Sequence, residues 1–220
     1  MSSVLIIGAS GGIGSALADG FVARGSQVDR LSRSADGFDV TDAGSIAQHL
    51  SGRGPYERVV VATGALEIGG AAPEKTIKGL DARAMADQFA LNAIGPALVL
   101  SHAHALLHRD RPCVFAVLSA RVGSIGDNRI GGWISYRSAK AAVNQIVRTA
   151  SIELARTHKE AAVVALHPGT VETPFTEKYL SRHPAVPASE AAQNLIGVMD
   201  GLGPRQTGSF FDYSGAEVAW

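Results

Sequence analysis

Val4-Leu5-Ile6-Ile7 is a continuous apolar run, rich in β-branched residues, that passes directly into Gly8-Ala9-Ser10-Gly11-Gly12-Ile13-Gly14. So short a run reads as a strand buried on both faces. Leu17, Phe21 and Val22 then repeat at helical spacing up to a helix stop at Gly25, and Gln27 to Ser32 form a second strand. Strand, glycine turn, helix and strand make a βαβ unit. Its glycines permit a tight turn, and the amides at its helix N-terminus can bind a pyrophosphate.

The same alternation runs on. Phe38-Asp39-Val40-Thr41-Asp42 reads as a strand end followed by a helix cap, with Ile46 and Leu50 inward on a helix closing near Gly52. Arg58 to Thr63 is a buried strand ending at Gly64, and residues 65–80 are a surface connection. A long helix is expected from Asp81 to His108, bent at Gly95-Pro96, with Asn92 interrupting its apolar face. Pro112 to Ser119 is a strand, and residues 120–134 are a loop. Ala139, Val143, Val147 and Leu154 mark the inner face of a helix beginning near Ser135. Ala161 to Leu166 is another strand, ended by His167-Pro168-Gly169, and residues 174–187 form a short, proline-containing substrate loop. A helix from Ser189 to Met199 and a strand near Ser209 to Asp212 follow. With 220 residues and 46% hydrophobic content, the expectation is a single α/β domain over 1–220. Its sheet is doubly wound, mostly parallel and seven-stranded, with helices on both faces.

Twenty basic residues balance twenty acidic ones, which gives no electrostatic footprint for nucleic acid or an anionic membrane. A small molecule is the expected partner. Cys113, the single cysteine, lies in an apolar run and fits a buried thiol in a reducing compartment. The N-terminus lacks a basic leader and no stretch approaches roughly 18 apolar residues, so the expected location is cytoplasmic. His104 and His108 have the spacing of a metal pair, but no carboxylate or cysteine joins them at ligand spacing, and no metal site is expected.

In a doubly wound sheet, ligands bind beyond the carboxyl ends of the strands. The residues there are Gly8 to Gly14, Ser32-Arg33, Asp39-Val40, Thr63-Gly64, Ser119 and His167-Pro168-Gly169-Thr170. Tyr136 and Lys140 are four residues apart, on one face of the helix that starts near Ser135. A phenol titrates near ~10, and a cation close by favours the phenolate, which brings tyrosine within reach of acid/base work. The same spacing also occurs on ordinary solvated helix faces. His167 reads as a strand terminator rather than a base.

On these motifs the chain resembles the short-chain dehydrogenase/reductase family over essentially its whole length. Segment Leu118 to Asn128, followed by Gly131-Gly132-Trp133, looks like the C-factor and sniffer-like carbonyl reductases. The resemblance implies a Rossmann-fold oxidoreductase that moves hydride between a nicotinamide and a carbonyl or alcohol. It assigns proton transfer to Tyr136, ribose binding and phenol tuning to Lys140, carbonyl polarisation to Ser119 and a relay water to Asn92. Cofactor contacts would come from Gly8, Ser10, Gly11, Gly12, Ile13, Gly14, Asp39, Val40, Thr63, Gly64, Pro168, Gly169, Val171 and Thr173, besides Asn92, Tyr136 and Lys140. It further implies a homodimer or homotetramer built through the two long helices.

Two departures stand out. The column of the usual catalytic serine falls on Ala120, so Ser119 turning inward, Ser124, or no hydroxyl at all remain three readings. The usual Asn-Ala-Gly turn is replaced by Ala62-Thr63-Gly64-Ala65, at a cost to packing rather than chemistry. With the second strand ending near Leu31, Ser32 and Arg33 face the adenosine, which favours NADP(H), while Asp29 two residues earlier leaves NAD(H) possible. Ala120 also motivates a rival reading, a dinucleotide-binding sensor or signalling protein with vestigial chemistry.

Overall fold

The computed structural model describes residues 2–173 and 185–220. In chain order its strands are β1 (Ser3–Ile7), β2 (Gln27–Leu31), β3 (Arg58–Val61), β4 (Cys113–Leu118), β5 (Ala161–His167), β6 (Val171–Glu172), β7 (Val186–Pro187) and β8 (Phe210–Asp212). The main sheet has the order β2-β1-β3-β4-β5-β8, and every neighbouring pair is parallel. Val4 to Ile7 are fully buried at its centre because helices cover both faces.

The helices are α1 (Gly12–Ala23), α2 (Arg33–Asp36), α3 (Ala43–Leu50), α4 (Ala82–Phe89), α5 (Gly95–Leu100), α6 (Ala103–Leu106), α7 (Ile134–Leu154) and α8 (Ala188–Asp200). Alternate strand residues feed two separate cores. Val4, Ile6, Val60 and Val114 pack with Leu17 and Phe21 of α1 and Leu195 and Ile196 of α8. Leu5, Ile7, Val59 and Phe115 pack with Val99 of α5 and Val143 and Val147 of α7. Each such side chain contributes roughly 1.5–3 kcal/mol by leaving water.

Two expectations are corrected, and a third falls mostly outside the described residues. Among the described residues the main sheet has six strands, not seven, because Phe38 to Val40 join no ladder. Their donors are used locally instead: Phe38 N on Ser32 O at 3.2 Å and Asp39 N on Ser45 Oγ at 3.0 Å. The long helix expected over 81–108 is broken into α4, a π-helical turn Ala90–Ile94, α5 and α6. Pro96 has no N–H to donate to the carbonyl of Asn92, so the regular ladder cannot run through this point. The substrate loop expected over 174–187 lies outside the described residues except for 185–187, and Val186–Pro187 pair with Val171–Glu172 as a small parallel sheet.

The turn after β1 depends on Gly8. Its φ of +91° lies in the left-handed region, and a Cβ there would come within 2.9 Å of the Ala62 carbonyl. The first turn can therefore lie directly against the segment that follows β3.

Candidate active site

Because the strands of the main sheet are parallel, the residues following β1, β3, β4 and β5 gather along one edge. They line a cleft of about 340 Å³ with Ser10 to Ile13, Ala62 to Gly64, Leu118 to Ala120 and His167 to Gly169. Tyr136 and Lys140 of α7 form another wall, and Val171 and Thr173 complete it. Thus most of the residues singled out in the sequence meet in one place.

At the head of the cleft, α1 begins at Gly12 with Gly11 as its N-cap. Its N-cap is a glycine, which has no side chain to cap it, and its first turn carries no acidic residue, so its amide end suits an anion. Thr173 crosses this turn so closely that a Cβ on Gly12 would lie 2.6 Å from its Cγ2. Gly8 and Gly14 lie beneath the turn, outside the cleft wall.

Tyr136 is 7% exposed and Lys140 is 3% exposed. The Lys140 ammonium donates to the Leu118 carbonyl at 3.0 Å and lies 5.8 Å from the centroid of the Tyr136 ring. Burial pushes the Tyr136 phenol above its ordinary value and pulls Lys140 down to about 8. The direction is opposite to the lowering expected from a neighbouring cation, and its cause is burial. At neutral pH the phenol holds its proton.

Asn92 is fully buried in the π-helical turn. Its Oδ1 accepts from Ala65 N at 3.2 Å, and its Nδ2 donates to Ala65 O at 2.9 Å and Gln88 Oε1 at 2.7 Å. Asn92 therefore clamps the chain just after β3 and does not itself line the cleft. Gly64 leaves open the space beside it: a Cβ there would sit 2.7 Å from Asn92 Oδ1 and 3.4 Å from Lys140 Nζ. The asparagine and the lysine converge over that glycine.

The serine readings divide in the structure. β4 does end at Leu118 and Ser119 lines the cleft, yet its hydroxyl donates to Asn144 Oδ1 of α7 at 2.6 Å. Ser124 is buried outside the cleft, its Oγ accepting from Asp127 N at 3.1 Å. Ala120 presents only a methyl group.

On the β2 side the expectations divide. Asp29 lies within β2, where its carboxylate accepts from the Tyr56 hydroxyl at 2.5 Å and faces Arg53 at 3.5 Å. It is removed from the strand end. Ser32 is also committed, since it caps α2 and donates its N–H to Asp36 Oδ2 at 2.8 Å. Arg33 is exposed at the start of α2. The Asp39 carboxylate accepts from Thr41 N and Oγ1, which hold it below its usual range, and Val40 packs against Gly95. Arg33, Asp39 and Val40 all lie off the cleft wall.

Several contributors were not singled out in the sequence. Gln88 holds Asn92, and its position one helical turn earlier was the available signal. Glu74 accepts from the hydroxyl and amide of Ser135 at the first turn of α7, and its carbonyl accepts from Trp133 N at 2.5 Å. That contact spans 61 residues and carries no local sequence signature. Among the described residues, no group of three metal-ligating side chains assembles, and no helix is long and apolar enough to cross a membrane.

Comparison with known proteins agrees with this geometry. The family described as short chain dehydrogenase matches residues 38–183. The chain is 38% identical over 137 residues to the C-signal of Myxococcus xanthus, covering 62% of this chain and 78% of that protein. It is 30% identical over 235 residues, end to end on both chains, to a 1-hydroxy-2-glutathionyl-2-methyl-3-butene dehydrogenase of Rhodococcus sp. (strain AD45). A Burkholderia multivorans protein described as a short-chain dehydrogenase/reductase, solved with bound NADP, superposes with a TM-score of 0.80 at 25% identity. That match covers 100% of this chain and 99% of the other.

Proposed function

The chain belongs to the short-chain dehydrogenase family, and from that membership we propose that it moves hydride between NADP(H) and the carbonyl or carbinol carbon of a small molecule, with Tyr136 as acid/base. One observation carries this reading: a single cleft joins the glycine turn at the start of α1 to the buried pair Tyr136 and Lys140.

The residues fit such a dinucleotide. Gly11 and Gly12 offer bare backbone at a helix N-terminus, and Thr63 Oγ1 is buried on the cleft wall without a partner. Ser10 to Ile13 with Thr173 would hold the pyrophosphate, and Thr63, Gly64, Pro168, Gly169 and Val171 the remainder. Asp39 and Val40 would flank the adenine, and exposed Arg33 would meet the 2′-phosphate. The cofactor supplies the hydride. Tyr136, kept protonated by burial, gives its proton to the carbonyl oxygen during reduction. Lys140 would orient the phenol from the next helical turn, and Asn92 Oδ1, which lies beside Gly64, would hold a relay water. Self-association through α5 and α7 would follow from the same family membership.

The NADP bound in the Burkholderia relative supports the cofactor assignment alongside Arg33. NADPH is expected to raise the melting temperature more than NADH; equal shifts would refute it. Tyr136→Phe is expected to lower turnover by roughly 10²- to 10⁴-fold while leaving NADPH affinity intact. Ala120 and the similarity to the C-signal favour a second reading, in which cofactor occupancy signals to a partner. Tight NADPH binding without reduction of any aldehyde, ketone or quinone would select it.

A further inference from the structure

Three candidate hydroxyl positions near the cleft offer no free donor: Ala120 has none, Ser119 gives its hydrogen to Asn144, and Ser124 lies outside the wall. A carbonyl oxygen receiving a proton from Tyr136 would still need a second polar contact, because developing charge in a poorly hydrated cleft is costly. Among the described wall residues, Thr63 and His167 each carry a buried polar atom without a hydrogen-bond partner, and the cofactor reading above already uses Thr63.

We infer that His167 donates a hydrogen bond from Nε2 to the oxygen of the substrate, taking the part that a serine hydroxyl would otherwise play. The inference rests on the oxidoreductase reading above and names a residue that reading leaves out. Three observations support it. His167 is the last residue of β5, held between β4 and β8, so the ring is carried by a rigid strand. Its Nδ1 is buried and has no hydrogen-bond partner. A buried N–H without an acceptor is rarer than an unshared lone pair, so the proton belongs on Nε2. Finally, the ring is fixed edge-on against Tyr213, with centroids 6.5 Å apart.

The surrounding charges are compatible with a donor that keeps its proton. Asp212, paired with His167 across the sheet, favours the imidazolium, whereas burial and Arg121 oppose it. Burial prevails and holds the ring neutral, with a pKa pulled down to about 4. A neutral N–H beside Leu118, Ala120 and Val171 suits an uncharged carbonyl compound better than a carboxylate. During reduction Tyr136 loses a proton and His167 loses none.

Two measurements test this. Long-range proton–nitrogen spectra of the cofactor-free protein, with His167 assigned by its loss in His167→Gln, are expected to show the neutral Nε2–H form from about pH 6 to about pH 8. Excess acetophenone is expected to move that nitrogen resonance. An Nδ1–H form, an imidazolium, or no response to acetophenone would overturn the inference. In NADPH-dependent reduction of a panel of aromatic aldehydes, His167→Leu is expected to lower kcat/KM by roughly 10- to 100-fold, with NADPH affinity unchanged and His167→Gln restoring most of the loss. Unchanged kcat/KM in His167→Leu, or an equal loss of NADPH affinity, would overturn it. A wild-type protein that binds NADPH but reduces nothing would instead refute the oxidoreductase reading, and the spectra still decide the state of His167.

Discussion

The Ser119 hydroxyl donates to the Asn144 side-chain oxygen across 2.6 Å, with both residues buried between the end of β4 and the middle of α7. Asn144 lies one helical turn beyond Lys140, so this contact braces the helix that carries both Tyr136 and Lys140. Asn144 Nδ2 has no partner, which leaves Ser119 as the hydrogen-bond partner of that side chain.

Ser119→Ala is therefore expected to cost stability more than chemistry. Removing the donor leaves a buried carboxamide unsatisfied at about 1–3 kcal/mol. Thermal melting should fall by several degrees while kcat stays within about threefold of wild type. A large loss of kcat at unchanged melting temperature would return the carbonyl contact to Ser119.

Lys140 makes stability depend on alkaline pH. An unfolded lysine holds its proton up to 10.5, whereas the buried one holds it only to about 8. Between these values unfolding takes up a proton, so the penalty of the buried ammonium is present in full below pH 8 and disappears as pH rises toward 10.5. That difference corresponds to ~3 kcal/mol at ~1.4 kcal/mol per pH unit, less ~1 kcal/mol for the lost bond to Leu118. Lys140→Met should melt higher than wild type at pH 7, and the gap should close by about pH 10. A gap that is constant with pH would show that the ammonium is not desolvated.

Glu74 fastens the connection after β3 to the start of α7 through Ser135 and Trp133. An acidic side chain at a helix N-terminus is worth about 1 kcal/mol. Glu74→Ala should lower the melting temperature by about 2–4 °C, and Glu74→Gln should recover part of that. Because Tyr136 follows Ser135 directly, Glu74→Ala should also weaken catalysis, read as a fall in kcat for a reference aldehyde.

Asp29 and Arg33 should respond in opposite ways. Asp29 is held by Tyr56 and Arg53 inside β2, and burial, helped by that carboxylate, pushes the Tyr56 phenol up to about 12. Asp29→Asn is expected to lower stability and leave the NADPH-to-NADH preference unchanged. Arg33→Ala is expected to weaken NADPH by roughly 10-fold and spare NADH, the loss of one charge-assisted contact. Fluorescence titration with each cofactor measures both.

Much of this protein is legible in its linear order. The apolar run Val4 to Ile7, the glycine turn after it, and the repeated alternation of strand and helix determine a parallel sheet whose loops converge on one edge, because buried strands and amphipathic helices are local patterns. The pairing of Tyr136 with Lys140 is equally local, one turn of one helix. Tertiary structure alone decided where hydroxyls and charges are spent. Whether Ser119 faces a ligand or Asn144, whether Asp29 is free or bound to Tyr56, and whether Tyr136 is lowered by a cation or raised by burial all depend on contacts between distant segments. Hydrogen bonds and desolvation are set by the atoms around a side chain, and for these residues those atoms belong to other parts of the chain.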